Sequence, residues 1–275
     1  VTAAVVSNMT RGRSCSCLMA EKAETDVFPI DMGIACEVEH RGELYPLTER
    51  KIRRGTSNFT KAAAMTRQEV LTAILTGIDA VRVLREQGYR LSAVGEMGIG
   101  NTTTSSAVAS VLLQKDPELV TGAGAGLDSA GLKRKTEAIR RGIGLHHPDP
   151  MDGMEVLQKV GGFDLAAMAG AFLGGAIYHV PVVIDGVIAA AAAAAAGRIA
   201  PAATDYMLAA HVSAEPASIW LLDLIGVTPA IQAGLRLGEG TGALALFPLL
   251  DMALSIYRDM DTFAGMEIEE YKPLV

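Results

Sequence analysis

The chain has 275 residues, half of them hydrophobic, and a formal net charge of −7 at pH 7. This negative charge argues against a nucleic-acid partner, because a protein that binds nucleic acid needs a basic field to offset the phosphates. Aromatic residues make up only 5% of the chain whereas glycine occurs 29 times, so we expect an α/β enzyme whose elements pack closely on small side chains.

The cysteines are few and odd in number, at positions 15, 17 and 36. Such a set provides no disulfide framework and indicates a reducing cytoplasm. Cys15 and Cys17 could hold a soft metal, but no further ligands follow at a suitable spacing. The sequence therefore predicts no metal and no cofactor.

The first predicted elements are a short strand at residues 27–31, which ends in an acid, and a helix that begins after Thr66. Thr66 and Glu69 have the spacing of a capping box, and Met65 and Val70 that of a hydrophobic staple. The apolar stripe of this helix consists of Val70, Ile74, Ile78, Val81 and Leu84.

An apolar run at residues 91–94 leads into a glycine turn, GEMGIGNTTT, at residues 95–104. Glycines let the backbone approach a ligand, and the first N–H groups of a helix bind anions, so we expect a phosphate here. The turn is not a P-loop, since Asn101 replaces the lysine, and Thr103 replaces a glycine that a dinucleotide-binding turn requires. Glu96 would then be an acid or base beside the phosphate.

Helices are predicted over residues 105–113 and 129–141. The second helix is basic and follows the glycine run 122–126, so its basic residues are either phosphate contacts or a solvated face. A buried strand is predicted over 180–185, with Asp185 at its end. Ligands gather outside the carboxyl ends of parallel strands, so Asp185 should lie at the same edge as the glycine turn.

The most apolar stretch, residues 163–199, contains two acids, a histidine and a proline. It therefore predicts a helix, a buried strand and a second helix rather than a membrane span. Its eight alanines at 189–196 predict a buried helix. Residues 218–224 fit either a strand or a helix. Residues 242–263 predict an amphipathic C-terminal helix, and 265–275 an exposed tail.

A second glycine-framed carboxylate is Glu239, in the run LRLGEGTG at residues 235–242. A glutamate between glycines is poorly placed for a helix interior and well placed to face a ligand, although a plain turn also explains it. Two carboxylates beside a phosphate suit the cleavage of a nucleotide's glycosidic bond. One would take a proton from the incoming base, and the other would stabilise positive charge on the ribosyl carbon.

The alternation of strand-like runs and helical periods favours an α/β fold with a mostly parallel sheet and helices on both faces. Five motifs, GEMGIGNTT, GGFDLAAMAG, VPVVIDG, HVSAEP and LRLGEGTGA, occur in an order and spacing that resembles the nicotinate-nucleotide–dimethylbenzimidazole phosphoribosyltransferase family. The likeness runs from about residue 1 to residue 263. It implies transfer of a phosphoribosyl group from nicotinate mononucleotide to an aromatic base, with inversion at the anomeric carbon.

The resemblance also implies roles for individual residues. Glu239 matches the family's general base, and Glu96 would face the ribosyl centre. The implied substrate contacts are Gly98, Gly100, Asn101 and Thr102 in the first motif, Gly124 and Lys135 on the phosphate side, Asp185, Gly186 and Ser213 on the ribose and base side, and Leu237 and Gly238 against nicotinate.

The domain organisation that the resemblance implies is a Rossmann-like domain over 19–231 and a small helical domain from 1–18 and 232–275. Family members usually have a further stretch before the residue that matches Val1, with a strand that ends in a Gly-Asp-His-Gly turn. The printed sequence has no counterpart of it, so we expect either part of a longer protein or a fold without that strand. A homodimer is expected as well, because an apolar chain of this kind leaves hydrophobic surface to cover.

A second class of function stays open at this stage. A non-catalytic relative could bind a nucleotide or an aromatic base and act as a sensor or as a partner subunit. The presence of both Glu96 and Glu239 favours the enzyme, because a protein that only binds has no need of a base beside the sugar.

Overall fold

The computed structural model describes residues 1–39, 43–124 and 126–269. The helices in these ranges are α1 Thr2–Thr10, α2 Cys15–Lys22, α3 Arg67–Glu86, α4 Thr102–Leu113, α5 Pro117–Val120, α6 Ser129–His146, α7 Gly153–Val160, α8 Phe163–Tyr178, α9 Val187–Ile199, α10 Ser218–Leu224 and α11 Thr241–Asp259, with a 3₁₀ helix at Pro201–Tyr206. The strands are β1 Ile30–Asp31, β2 Thr48–Glu49, β3 Ser92–Val94, β4 Val182–Ile184 and β5 Met207–Ala209.

Three parallel strands form the main sheet in the order β3, β4, β5. Val94 pairs with Ile184, and Ile184 pairs with Ala209, so the three strands end level with one another. The alternation of β4 places Val182 and Ile184 in the main core, whereas Val183 packs with residues of α11. The predicted α/β class with a parallel sheet is confirmed, and the loops after these strands meet at one edge.

Small residues let helices α3 and α8 pack so closely that their backbones are in contact. A Cβ on Gly77 of α3 would lie 1.8 Å from the carbonyl oxygen of Ala167, and one on Gly170 of α8 would lie 2.0 Å from that of Ile74. The eight alanines of α9 are all buried. The glycine and alanine content therefore serves close packing, as the composition predicts.

Several local predictions are confirmed. The hydroxyl of Thr66 accepts the Glu69 N–H at 3.2 Å, and the Glu69 carboxylate accepts the Thr66 N–H at 2.7 Å, which together form the capping box of α3. Residues 163–199 form helix, buried strand and helix in that order. Residues 218–224, for which the sequence left two possibilities, form helix α10.

Other boundaries were predicted wrongly. The strand expected at 27–31 is limited to Ile30–Asp31, and it pairs with β2 in a separate two-stranded sheet. Helix α4 begins at Thr102, three residues earlier than predicted, and α11 ends at Asp259 instead of residue 263. Strand β5 was not predicted, because its three residues follow a 3₁₀ helix and have too short an apolar pattern.

Within the described ranges, no helix combines the length and the hydropathy that a membrane span requires. Residues 265–269 of the predicted tail are exposed, and residues 270–275 lie outside the described ranges. Ala125, within the glycine run 122–126, lies outside them as well.

Candidate active site

The two glycine-framed glutamates lie on loops that touch each other through their backbones. The N–H of Glu239 donates to the carbonyl oxygen of Glu96 at 2.7 Å. A Cβ on Gly95 would lie 2.2 Å from the backbone nitrogen of Gly240, so the first loop has room for the second only because residue 95 is glycine. Glu239 itself has a φ of 58°, a left-handed conformation that non-glycine residues rarely adopt. The two loops therefore form a single backbone unit that carries both carboxylates.

The Glu96 carboxylate is held by hydrogen bonds from its own glycine turn. Its Oε2 atom accepts the N–H of Gly98 at 2.5 Å. Burial, together with the negative charge of Asp164, raises the pKa of Glu96 to about 7 against the hydrogen bonds that lower it. Asp164 accepts a hydrogen bond from the Asn101 side chain at 2.7 Å. Asn101 thus links the acid of the glycine turn to an acid of α8 that the sequence analysis did not select.

The Glu239 carboxylate faces the start of helix α2. Its Oε2 atom lies 3.3 Å from the Ser16 backbone nitrogen and 3.4 Å from the Ser16 hydroxyl, both of which donate to it. Ser16 is buried. The sequence analysis missed this contact, since nothing in SCSC points to a carboxylate partner and Ser16 lies 223 residues from Glu239.

Asp185 follows strand β4, as predicted, and its carboxylate accepts hydrogen bonds from backbone N–H groups at the start of α11. Oδ2 accepts the N–H of Gly240 at 3.1 Å, and Oδ1 accepts those of Gly242 and Ala243 at 2.8 and 3.2 Å. His211 places its Nε2 atom 3.7 Å from Oδ1. Burial lowers the pKa of His211, but the hydrogen bond and negative charge of Asp185, together with a backbone hydrogen bond of Val212, outweigh burial, so the pKa is raised overall.

Lys135 lies in a buried polar cluster at the start of helix α4. Its ammonium group donates to the carbonyl oxygen of Gly122 at 2.9 Å and to the hydroxyl of Thr102 at 3.0 Å. The N–H of Gly124 donates to the carboxylate of Glu215 at 3.2 Å. Burial lowers the pKa of Lys135, and the charge of Glu215 opposes this effect. Glu215 lies within the HVSAEP motif but was not selected from it.

The other predicted residues lie around these groups. Gly98 and Gly100 have positive φ values of 80° and 91° in the glycine turn. Gly186 precedes α9, where a Cβ would lie 4.0 Å from the hydroxyl of Ser213. The Ser213 N–H donates to the Ser218 hydroxyl at 2.9 Å.

On the α11 side, Gly238 lies against the carbonyl of Glu96, and a Cβ there would be 3.2 Å from it. Leu237 is 58% exposed. In the described part of the chain, no group of three or more His, Cys, Asp or Glu side chains is arranged to hold a metal ion.

Comparison with known proteins gives a consistent result over nearly the whole chain. A family model described as phosphoribosyltransferase matches residues 1–268. The chain is 44% identical over 274 residues to the nicotinate-nucleotide–dimethylbenzimidazole phosphoribosyltransferase of Clostridium acetobutylicum, with 100% of this chain and 77% of that protein covered. The same-named protein of Ruminiclostridium cellulolyticum gives the same identity and coverage.

A solved structure also matches this chain in its fold. The crystal structure of the like-named enzyme from Thermus thermophilus is 37% identical in sequence and superposes with a TM-score of 0.89. The match covers 98% of this chain and 79% of that one.

Proposed function

The chain belongs to the nicotinate-nucleotide–dimethylbenzimidazole phosphoribosyltransferase family, and we propose that Glu239 and Glu96 carry out the transfer in it. The reaction moves the phosphoribosyl group of nicotinate mononucleotide to 5,6-dimethylbenzimidazole or a related aromatic base. Its products are α-ribazole 5′-phosphate and nicotinate, and the first of these supplies the nucleotide loop of a cobamide. The named relatives support this enzyme rather than the non-catalytic sensor or partner subunit.

The observation that carries the assignment of the residues is the hydrogen bond from the Glu239 N–H to the Glu96 carbonyl. It joins the two loops at the edge where the parallel strands end, which is where α/β folds bind ligands. In this arrangement Glu239 acts as the general base that takes the proton of the incoming base. Glu96 stabilises the positive charge that develops on the ribosyl carbon.

The environment of Glu96 suits that role. Burial and Asp164 make the ionised form of Glu96 costly in the free protein, and hydrogen bonds from Gly98 and Asn101 offset part of this cost. A cation that develops beside the carboxylate removes part of this cost in the transition state. An interaction that is stronger in the transition state than in the ground state accelerates the reaction.

We assign the phosphate of the nucleotide to the side of Lys135 and Gly124, which a buried ammonium group and a glycine loop favour. The remaining proposed substrate contacts are Gly98, Gly100, Asn101 and Thr102 along the glycine turn, Asp185, Gly186 and Ser213 on the ribose and base side, and Leu237 and Gly238 on the nicotinate side.

The experiment that tests the assignment is Glu239→Gln, with the exposed Glu118→Gln as the matched control. An amide preserves shape but accepts no proton, so kcat for 5,6-dimethylbenzimidazole should fall by about 10² to 10⁴ while the Kd of nicotinate mononucleotide stays within about threefold. Nicotinate release measured by chromatography gives kcat, and calorimetry gives Kd. A Glu239→Gln enzyme with wild-type kcat at neutral pH would remove Glu239 from the mechanism.

We also propose a homodimer, formed through the C-terminal half of α11. The large apolar residues exposed there are Leu249, Met252, Leu254, Ile256 and Tyr257. Exposed apolar patches of this kind are typical of protein interfaces. Light scattering at micromolar concentration tests this proposal, and a single monomeric mass would contradict it.

Two further proposals concern organisation and location. We propose a small helical domain from 1–18 and 232–275 and a Rossmann-like domain over 19–231. The packing of helix α11 against α2 favours grouping the two chain ends, but α2 itself continues to Lys22, past the boundary at residue 18. The three cysteines are all free, which is in keeping with a reducing cytoplasm.

A further inference from the structure

The start of helix α2 holds a short chain of hydrogen bonds that ends on Glu239. Ser14 precedes the helix, and its hydroxyl accepts the N–H of Cys17 at 3.2 Å. The hydroxyls of Ser14 and Ser16 lie 2.7 Å apart, and that of Ser16 lies 3.4 Å from Oε2 of Glu239. Both serines are buried. None of the motifs that carry the family resemblance includes these residues.

When Glu239 is ionised, the hydrogens available on each group determine which group donates in every one of these hydrogen bonds. A serine hydroxyl has one hydrogen to donate and can accept as well. The Cys17 N–H donates to Ser14, Ser14 donates to Ser16, and Ser16 donates to the carboxylate. The Ser16 N–H adds a second donor at 3.3 Å from the same oxygen. Hydrogen bonds that point the same way polarise one another, and bonds to a charged acceptor are the stronger kind.

The same side chains can serve the protonated form of Glu239. With the proton on Oε2, the carboxyl group donates to the Ser16 oxygen. The Ser16 hydrogen then turns to Ser14, and the Ser14 hydrogen turns to the Cys17 sulfur, which lies 3.1 Å away. The backbone N–H of Ser16 could not do this, because it only donates. A hydroxyl at position 16 thus satisfies a base that gains and loses a proton in each turnover.

We propose that Ser16 is a positioning residue for Glu239, and that with Ser14 it holds the side chain of this base in both of its protonation states. The inference rests on the proposed role of Glu239 as the general base. Ser16 does not contact the reacting atoms in this account. Its effect on the reaction passes through the carboxylate.

A double-mutant cycle on Ser16→Ala and Glu239→Gln tests this proposal with the full chain. Ser16→Ala should lower kcat by about 3- to 10-fold, as expected for a lost hydrogen bond to a charged group whose second donor remains, while the KM of nicotinate mononucleotide stays within about twofold. On the Glu239→Gln background, the same substitution should change kcat by less than about twofold, because the base is already absent.

Ser110→Ala is the matched control, since Ser110 is another buried serine whose hydroxyl donates to the Lys115 carbonyl at 2.6 Å, away from both glutamates. Its kcat should equal that of the wild type. Wild-type kcat in Ser16→Ala overturns the proposal, and so does an equal loss of kcat in both backgrounds, because Ser16 would then support the fold instead of Glu239. Glu239→Gln with wild-type kcat would instead refute the proposed function itself, so the two failures are distinguishable.

Discussion

The Asp185 carboxylate should determine both the stability of the α11 start and the position of Glu239. It accepts three backbone N–H bonds, from Gly240, Gly242 and Ala243, and is only 5% exposed. Asp185→Ala leaves these donors buried and unpaired. Each unpaired donor costs about 1–3 kcal/mol, so a total loss of about 4 kcal/mol of unfolding free energy is expected after allowance for partial relaxation.

Asp185→Asn provides a finer test of the same contact. Its carbonyl oxygen can still accept the N–H groups of Gly242 and Ala243, but its NH₂ group would face the N–H of Gly240, a donor against a donor. We expect a loss of about 2 kcal/mol and a fall in kcat of about tenfold or more, since Glu239 adjoins Gly240. The Kd of nicotinate mononucleotide should rise by more than about threefold, since Asp185 is also one of the proposed contacts on the ribose and base side.

Urea unfolding, initial rates and calorimetric binding measure these three effects. Asp152→Ala is the control, because Asp152 caps α7 at 3.0 Å from the Glu155 nitrogen, and its loss should cost about 1 kcal/mol without change in kcat. The reasoning is refuted if Asp185→Asn matches the wild type in stability and kcat. A large rise in Kd with unchanged stability would also refute it, because Asp185 would then act on the substrate alone and not on the start of α11.

Three further predictions concern other parts of the molecule. The pKa of Glu96 is raised above its unfolded value of 4.5 to about 7, so its ionisation costs stability as pH rises through this window. Glu96→Gln should therefore raise the unfolding free energy at pH 8 by about 1–2 kcal/mol with no gain at pH 4, and an equal effect at both pH values in denaturant titrations would contradict this. Gly77→Ala should destabilise the protein by about 3 kcal/mol in a thermal melt, whereas Gly144→Ala in α6, where a Cβ meets nothing within 4 Å, should stabilise it by about 0.5–1 kcal/mol. Lys135→Met should raise the KM of nicotinate mononucleotide at least about tenfold but leave that of nicotinate riboside nearly unchanged, and equal rises would place the phosphate elsewhere.

The sequence correctly predicted those helices and strands whose formation depends on residues close together in the chain. The capping box of α3 spans four residues, and the buried helices of 163–199 follow from composition and length alone. The contacts that define the site are long-range by comparison. The Asp185 carboxylate bonds residues 55 to 58 positions away, and Ser16 meets Glu239 across 223 positions. Periodicity does not reveal such pairs, so the sequence predicted which loops meet at the end of the sheet but not how their atoms pair.

The glycines of the site motifs show why reading each motif alone was insufficient. Glycine in a ligand turn is usually explained by a positive φ, and Gly98 and Gly100 fit that explanation. Gly95 and Gly122 have no positive φ, and each is glycine because another loop occupies the space of its side chain.

The backbone nitrogen of Gly240 fills the space beside Gly95, and the Glu215 carboxylate, 1.8 Å from a hypothetical Cβ, fills that beside Gly122. A distant loop therefore requires glycine at each of these two positions. A substitution at Gly95 would separate the loops of Glu96 and Glu239, although it alters neither carboxylate. The GEMGIGNTT and LRLGEGTGA motifs therefore depend on each other in physical terms, because the backbone of the second occupies the space beside Gly95 of the first.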